Sequence, residues 1–177
     1  MSTDFTQDFF TLFGLPRRFA QDSAALDQAW RAAAAQVHPD RFAAGSDAEK
    51  RSALMLATRV NEAYQTLKSP LNRARYLLQL AGVDTQEDTN TRMPADFLMA
   101  QMQWRENIED ASHAADLAAL EALSGELRGE VRQLQAELGQ ALDRDADLDA
   151  AALLVRKLRF LEKLDQEIGD AIEGLLD

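Results

Sequence analysis

A chain of 177 residues without cysteine is long enough to bury roughly 70% of its unfolded surface, and it can form neither disulfides nor thiolate metal sites nor a cysteine nucleophile. Its 19 basic and 30 acidic residues are unevenly spread: residues 1–82 carry ten Lys or Arg against eight Asp or Glu, and residues 83–177 carry nine against twenty-two. The acidic second half repels phosphate backbones and argues against nucleic acid as a partner, while two histidines are few for a metal site.

The opening MSTDFTQDFF has no basic segment ahead of an apolar core, and no later run approaches eighteen apolar residues. Neither export nor membrane insertion is therefore expected, and a cytoplasmic location is. Apolar residues recur at spacings of three and four with almost no alternation, so the chain reads as all-α. A short first helix is expected near Thr6 to Phe13, stopped by Gly14 with Pro16 beyond. The second, capped by Asp22, carries Leu26, Trp30, Ala33 and Val37 on one face and stops because Pro39 disfavours helical geometry at His38. Ser46 and Glu49 have the spacing of a capping box, which starts a third helix with Ala53, Ala57, Val60, Tyr64 and Leu67 on one side. Helices two and three should pack antiparallel.

Ser69 and Pro70 form a cap and first-turn pair for a fourth helix closed by Gly82. The polar stretch VDTQEDTNTRM reads as a linker, giving modules at 1–82 and 95–177 with residues 83–94 between. Pro94 suits a first turn, and three further helices are expected at about 95–112, 114–143 and 147–175, the last capped by Asp147. These should form a small three-helix bundle.

His38, Pro39 and Asp40 stand in the break between helices two and three. Three readings are open for them: a catalytic or metal-binding His/Asp pair, an ordinary helix stop, or a turn that another protein reads. The fixed φ of Pro39 favours the third, because it presents a donor and a carboxylate already ordered. No constellation of Ser, Cys or a third carboxylate surrounds the pair, which weighs against hydrolysis.

FGLP (13–16), HPDRF (38–42) and NEAYQTL (61–67) together resemble a J-domain in motif and spacing. SPLNRARYLL (69–78), FLMAQMQWRE (97–106) and VRKLRFLEKL (155–164) resemble one subgroup, the HscB-type co-chaperones of iron–sulfur cluster assembly. The resemblance covers nearly the whole chain. It implies a non-enzymatic protein without a cofactor whose HPD turn stimulates the ATPase of a DnaK-class, HscA-type chaperone. The residues implied in that contact are His38, Pro39, Asp40, Arg41, Phe42 and Arg31. Family members usually present several basic residues on helix two, whereas here Arg31 is alone in it, with Arg41, Lys50 and Arg51 around the turn. The cysteine-rich module of some eukaryotic relatives is absent.

The helix beginning at Ala95 has more apolar surface than one core face needs. At 100° per residue, Phe97, Ala100, Trp104, Ile108 and Ala111 fall within about 60° of one direction, with Gln101 among them. Leu98, Met99 and Met102 fall about 100° to 200° away, beside Glu106 and near Asp110 and Gln103. Such a cluster is either a binding patch or a face covered by another helix of the bundle. The resemblance implies that Leu98, Met99, Met102, Gln103, Glu106 and Asp110 hold the scaffold protein on which iron–sulfur clusters are built. Gln103 stands where an acid is expected. Phe160, on the edge of the last helix's stripe, is either part of this patch or core. Tyr64 and Trp30 read as interhelix packing and His113 as surface. Two other functions stay open: a general J-domain chaperone, for which eight scattered glycines offer no Gly/Phe-rich segment, and a purely structural helical adaptor.

Overall fold

The computed structural model describes residues 6–90 and 92–177; the opening MSTDF and Thr91 lie outside the described residues. Among these residues there are seven α-helices and no strand, so the all-α expectation holds. The chain divides into two compact units, one running to Leu77 and the other from Leu78 to Asp177.

In the first unit, α1 (Phe9–Leu12) is shorter than expected because Asp8 takes its N-cap, accepting a hydrogen bond from the Thr11 N–H at 3.0 Å. The chain leaves α1 through Gly14 at φ 63°, a left-handed position where a side chain would be strained. Helix α2 (Ser23–Gln36) is capped by Asp22 and closes at Val37. Helix α3 (Asp47–Lys68) opens with the capping box that Ser46 and Glu49 encode, and α4 (Pro70–Leu80) follows Ser69.

Helices α2 and α3 run antiparallel, as two cross-links with opposite numbering show. Trp30 Nε1 donates to Asn61 Oδ1 at 3.1 Å, and the Tyr64 hydroxyl donates to Asp27 Oδ1 at 2.7 Å. The Trp30 and Tyr64 rings stack at 4.5 Å between these bonds, so both residues pack the hairpin as the sequence suggests. Phe10, Val60, Ala63, Leu67 and Ala74 close the core behind them. Phe9 stacks on Tyr76 at 4.6 Å, and the Arg73 guanidinium donates to the carbonyls of Phe19 and Leu67, tying down the connection between α1 and α2.

The second unit is a bundle of α5 (Ala95–His113), α6 (Leu117–Gly139) and α7 (Leu148–Leu176). Leu120, Leu127, Leu134 and Ala141 are buried at intervals of seven, as are Leu154, Leu161 and Ile168, the repeat of helices packed at a shallow angle. Pro94 occupies the N-cap of α5 rather than its first turn. Helix α6 starts later than expected because residues 114–116 complete a turn on α5: Asp116 N–H reaches the Ala111 carbonyl at 2.9 Å, with Ala115 at φ 52°. Its far end loosens into a π turn, Gln140–Arg144, before Asp147 caps α7.

The polar stretch after α4 is held against α7. Arg156 Nη1 donates to the Thr85 carbonyl at 3.1 Å, and Arg159 meets Asp88 at 2.9 Å and Glu87 at 3.7 Å. Thr85 is itself buried, so this segment is a strap along the last helix.

Candidate functional site

The HPD turn is built by two fixed ends. Helix α2 stops where the Val37 N–H bonds the Ala33 carbonyl at 3.3 Å. Nine residues later Ser46 and Glu49 cap α3 reciprocally, with the Ser46 N–H on Glu49 Oε2 at 2.7 Å and the Glu49 N–H on Ser46 Oγ at 3.2 Å. Gly45 leaves room for this box, since a Cβ there would stand 2.6 Å from Glu49 Oε2 and push that carboxylate aside.

Between these ends Pro39–Phe42 form one 3-10 turn with His38 as its cap. The imidazole Nδ1 accepts the Asp40 N–H at 3.2 Å, and the His38 carbonyl accepts the Arg41 N–H at 3.0 Å. With Nδ1 engaged, a neutral ring carries its proton on Nε2, which remains available as a donor. Asp40 Oδ2 lies 3.7 Å from Nδ1 with its side chain 92% exposed. Because Nδ1 is accepting, that contact is an ion pair only when the ring is protonated. The arrangement is ordered in backbone and open in side chain, which suits recognition better than acid–base work in a dry cleft.

Phe42 is half-buried and anchors the turn, its carbonyl accepting the Gly45 N–H at 2.9 Å. Arg31, Arg41, Lys50 and Arg51 are exposed and make no ion pair within the described residues. The helix-three periodicity gave no prominence to Leu54 and Met55, yet these are 60% and 63% exposed on the outer side of α3, next to Thr58, Arg59 and Glu62. Their isolation from the apolar stripe is the sequence signal for that exposure.

On the second unit, Leu98, Met99 and Met102 are 42%, 71% and 72% exposed. Among the described residues no neighbouring helix covers them, which answers the question periodicity left open. Gln103, Glu106 and Asp110 are exposed along the same helix, and Gln103 Nε2 donates to Asn107 Oδ1 at 2.9 Å. Phe160 is half-buried and meets Phe97 edge-on, with centroids 6.2 Å apart at 74°. It therefore serves the α5–α7 seam and still presents surface.

One expectation about this helix fails. Ala100 was placed on the core stripe and is exposed, whereas Gln101 is 6% exposed. The core face is centred on Gln101 and Ile108, so Ala100 falls outside its edge in the first turns of α5. Gln101 Oε1 has no hydrogen-bond partner among the described residues.

Known proteins share this organisation. Residues 93–169 match the family described as the HSCB C-terminal oligomerisation domain. The chain is 80% identical over 177 residues to the co-chaperone protein HscB homolog of Chromobacterium violaceum, covering 100% of both chains. Among solved structures it is similar to the chaperone HscB from Vibrio cholerae, with a TM-score of 0.85 and 38% identity over 96% of this chain and 99% of that one. It is also similar to human co-chaperone protein HscB, with a TM-score of 0.88 and 30% identity over 94% of this chain and 82% of that one.

Proposed function

This chain belongs to the HscB family of co-chaperones, and on that premise we propose that it delivers the iron–sulfur cluster scaffold protein to a DnaK-class, HscA-type chaperone and stimulates that chaperone's ATPase. In this reading residues 1–82 act as the J-domain and residues 95–177 hold the scaffold, with residues 83–94 between. The protein performs no bond chemistry of its own; hydrolysis belongs to the partner.

The observation that carries the reading is the HPD turn itself, ordered by its own backbone bonds and flanking caps while the Asp40 carboxylate stays 92% exposed. A partner meeting it finds an exposed carboxylate and an imidazole donor carried on an ordered backbone, so little backbone entropy is lost on docking. Arg41, Phe42, Pro39 and Arg31 extend that contact. Leu98, Met99, Met102, Gln103, Glu106, Asp110 and Phe160 form the scaffold surface, an apolar centre with a charged margin, as interfaces between proteins commonly have. Because Arg31 is alone in α2 while Arg41, Lys50 and Arg51 surround the turn, charge steers this encounter with the chaperone from the turn rather than from a basic second helix.

The test is single-turnover ATP hydrolysis by the cognate chaperone with the scaffold present or absent. Wild-type protein should accelerate hydrolysis, more so with scaffold, and Asp40→Asn should remove the acceleration while scaffold binding persists. An Asp40→Asn protein that stimulates normally would refute the role of the turn. A second reading has its own support, since the family matched over residues 93–169 is described by oligomerisation and the apolar α5 surface suits self-association. Sedimentation of the protein alone, compared with Met99→Ala/Met102→Ala, separates the two: a dimer lost in the variant assigns the surface to a second copy.

A further inference from the structure

We infer that the scaffold-binding surface of α5 continues onto α7 as a row of two lysines and two aromatic rings, and that the scaffold face it receives is bipolar, acidic where it meets α7 and basic where it crosses toward Asp110. This rests on the reading of α5 as the scaffold surface. Lys157 Nζ lies 5.5 Å from the centroid of Phe97, and Lys163 Nζ lies 5.9 Å from that of Phe160. The two rings are the edge-on pair that joins the helices, so the cations stand at either end of the aromatic seam.

A ring face attracts an ammonium ion without neutralising it. Neither lysine makes an ion pair with a described residue. The contrast is on the same helix: Arg156 and Arg159 are engaged by the strap, and Arg105 of α5 meets Glu167 at 3.8 Å. Two cations left open in a module with nine basic residues against twenty-two acidic ones are a local reversal of its field.

The rise of the helix sets the order of the rest. Phe97 packs at the α7 seam, exposed Leu98, Met99 and Met102 follow it in the first two turns of α5, and exposed Glu106, Glu109 and Asp110 occupy the turns after them. The surface therefore grades from positive through apolar to negative. A partner with the opposite gradient docks in one orientation, and the same partner turned around meets like charge on both rims.

The experiment is calorimetric titration of purified scaffold protein into the full chain. The variants are Lys157→Glu/Lys163→Glu, Lys157→Gln/Lys163→Gln, Lys157→Arg/Lys163→Arg and Leu98→Ala/Met102→Ala, each first matched to wild type in thermal unfolding. The expected result is a loss of affinity of at least about tenfold for the Glu pair, less for the Gln pair, and retention within about threefold for the Arg pair. The wild-type affinity should also fall more steeply with salt than that of the Gln pair. Wild-type affinity in the Glu and Gln pairs, with Leu98→Ala/Met102→Ala still weakened, would overturn this inference and leave the α5 reading standing. Full affinity in Leu98→Ala/Met102→Ala as well would overturn both.

Discussion

Tyr64 shows how one side chain ties sequence to both fold and pH response. Its hydroxyl donates to Asp27, and that hydrogen bond, with burial and the Asp27 charge behind it, raises the phenol above its ordinary value of 10.0. The folded state thus holds this proton more tightly than the unfolded state does. The bond's contribution is complete below the ordinary phenol value and is lost as pH rises through the raised one. Tyr64→Phe should lower the urea midpoint near about pH 8, and the gap to wild type should narrow as pH rises beyond the ordinary phenol value of 10.0. A gap constant across that range would refute the linkage. At this scale the HPD turn was legible because its determinants are local: a proline, a flanking cap and a capping box occupy neighbouring positions. The exposure of Leu98, Met99 and Met102 was not, since a helical wheel separates faces without saying which face a distant helix covers. Ala100, expected on the core stripe, is exposed for the same reason, while Gln101 is buried as expected.

Element boundaries were readable wherever a residue with special backbone chemistry marked them. Asp22, Ser46, Ser69 and Asp147 cap the helices that follow them, and Gly82 at φ 78° closes α4. The boundary between α5 and α6 lacked such a mark. There the paired bonds Ala115 N–H to Ser112 and Asp116 N–H to Ala111 form the usual left-handed helix ending, but an alanine occupies the position that glycine normally fills. Nothing in the letters distinguished Ala115 from the helix-favouring alanines beside it. Ala115→Gly should remove the left-handed strain and stabilise the fold by roughly 0.5–1 kcal/mol, after allowing for the added freedom of the unfolded chain. Thermal or urea melts check this, and a destabilised variant would show that the alanine is not strained. The π turn at Gln140–Arg144 was unreadable on similar grounds, because its residues are ordinary helix formers.

For the molecule as a whole, the segment read as a linker has an allegiance. Its carbonyl at Thr85 and its acids at Glu87 and Asp88 are held by Arg156 and Arg159 of α7, so the C-terminal module is structurally complete only with the strap attached. A fragment of residues 78–177 should therefore be more stable than one of residues 95–177 by about 1–2 kcal/mol, most of it from the partly buried Arg156 bond, since exposed ion pairs contribute little. Equal denaturation midpoints for the two fragments would remove the strap from this role. The charge asymmetry of the composition suggested two modules, but contacts between sequence-distant polar residues left no periodic trace. The strap also changes what α7 can tolerate. One side of that helix holds Leu154, Leu158 and Leu161 in the core, and the opposite side carries Arg156 and Arg159 on the strap together with Lys157, Phe160 and Lys163 beside the α5 surface. A helix with a single committed face can vary freely on the remainder; this one has no neutral face between residues 154 and 163, and random substitution will find fewer permitted replacements there than on α6.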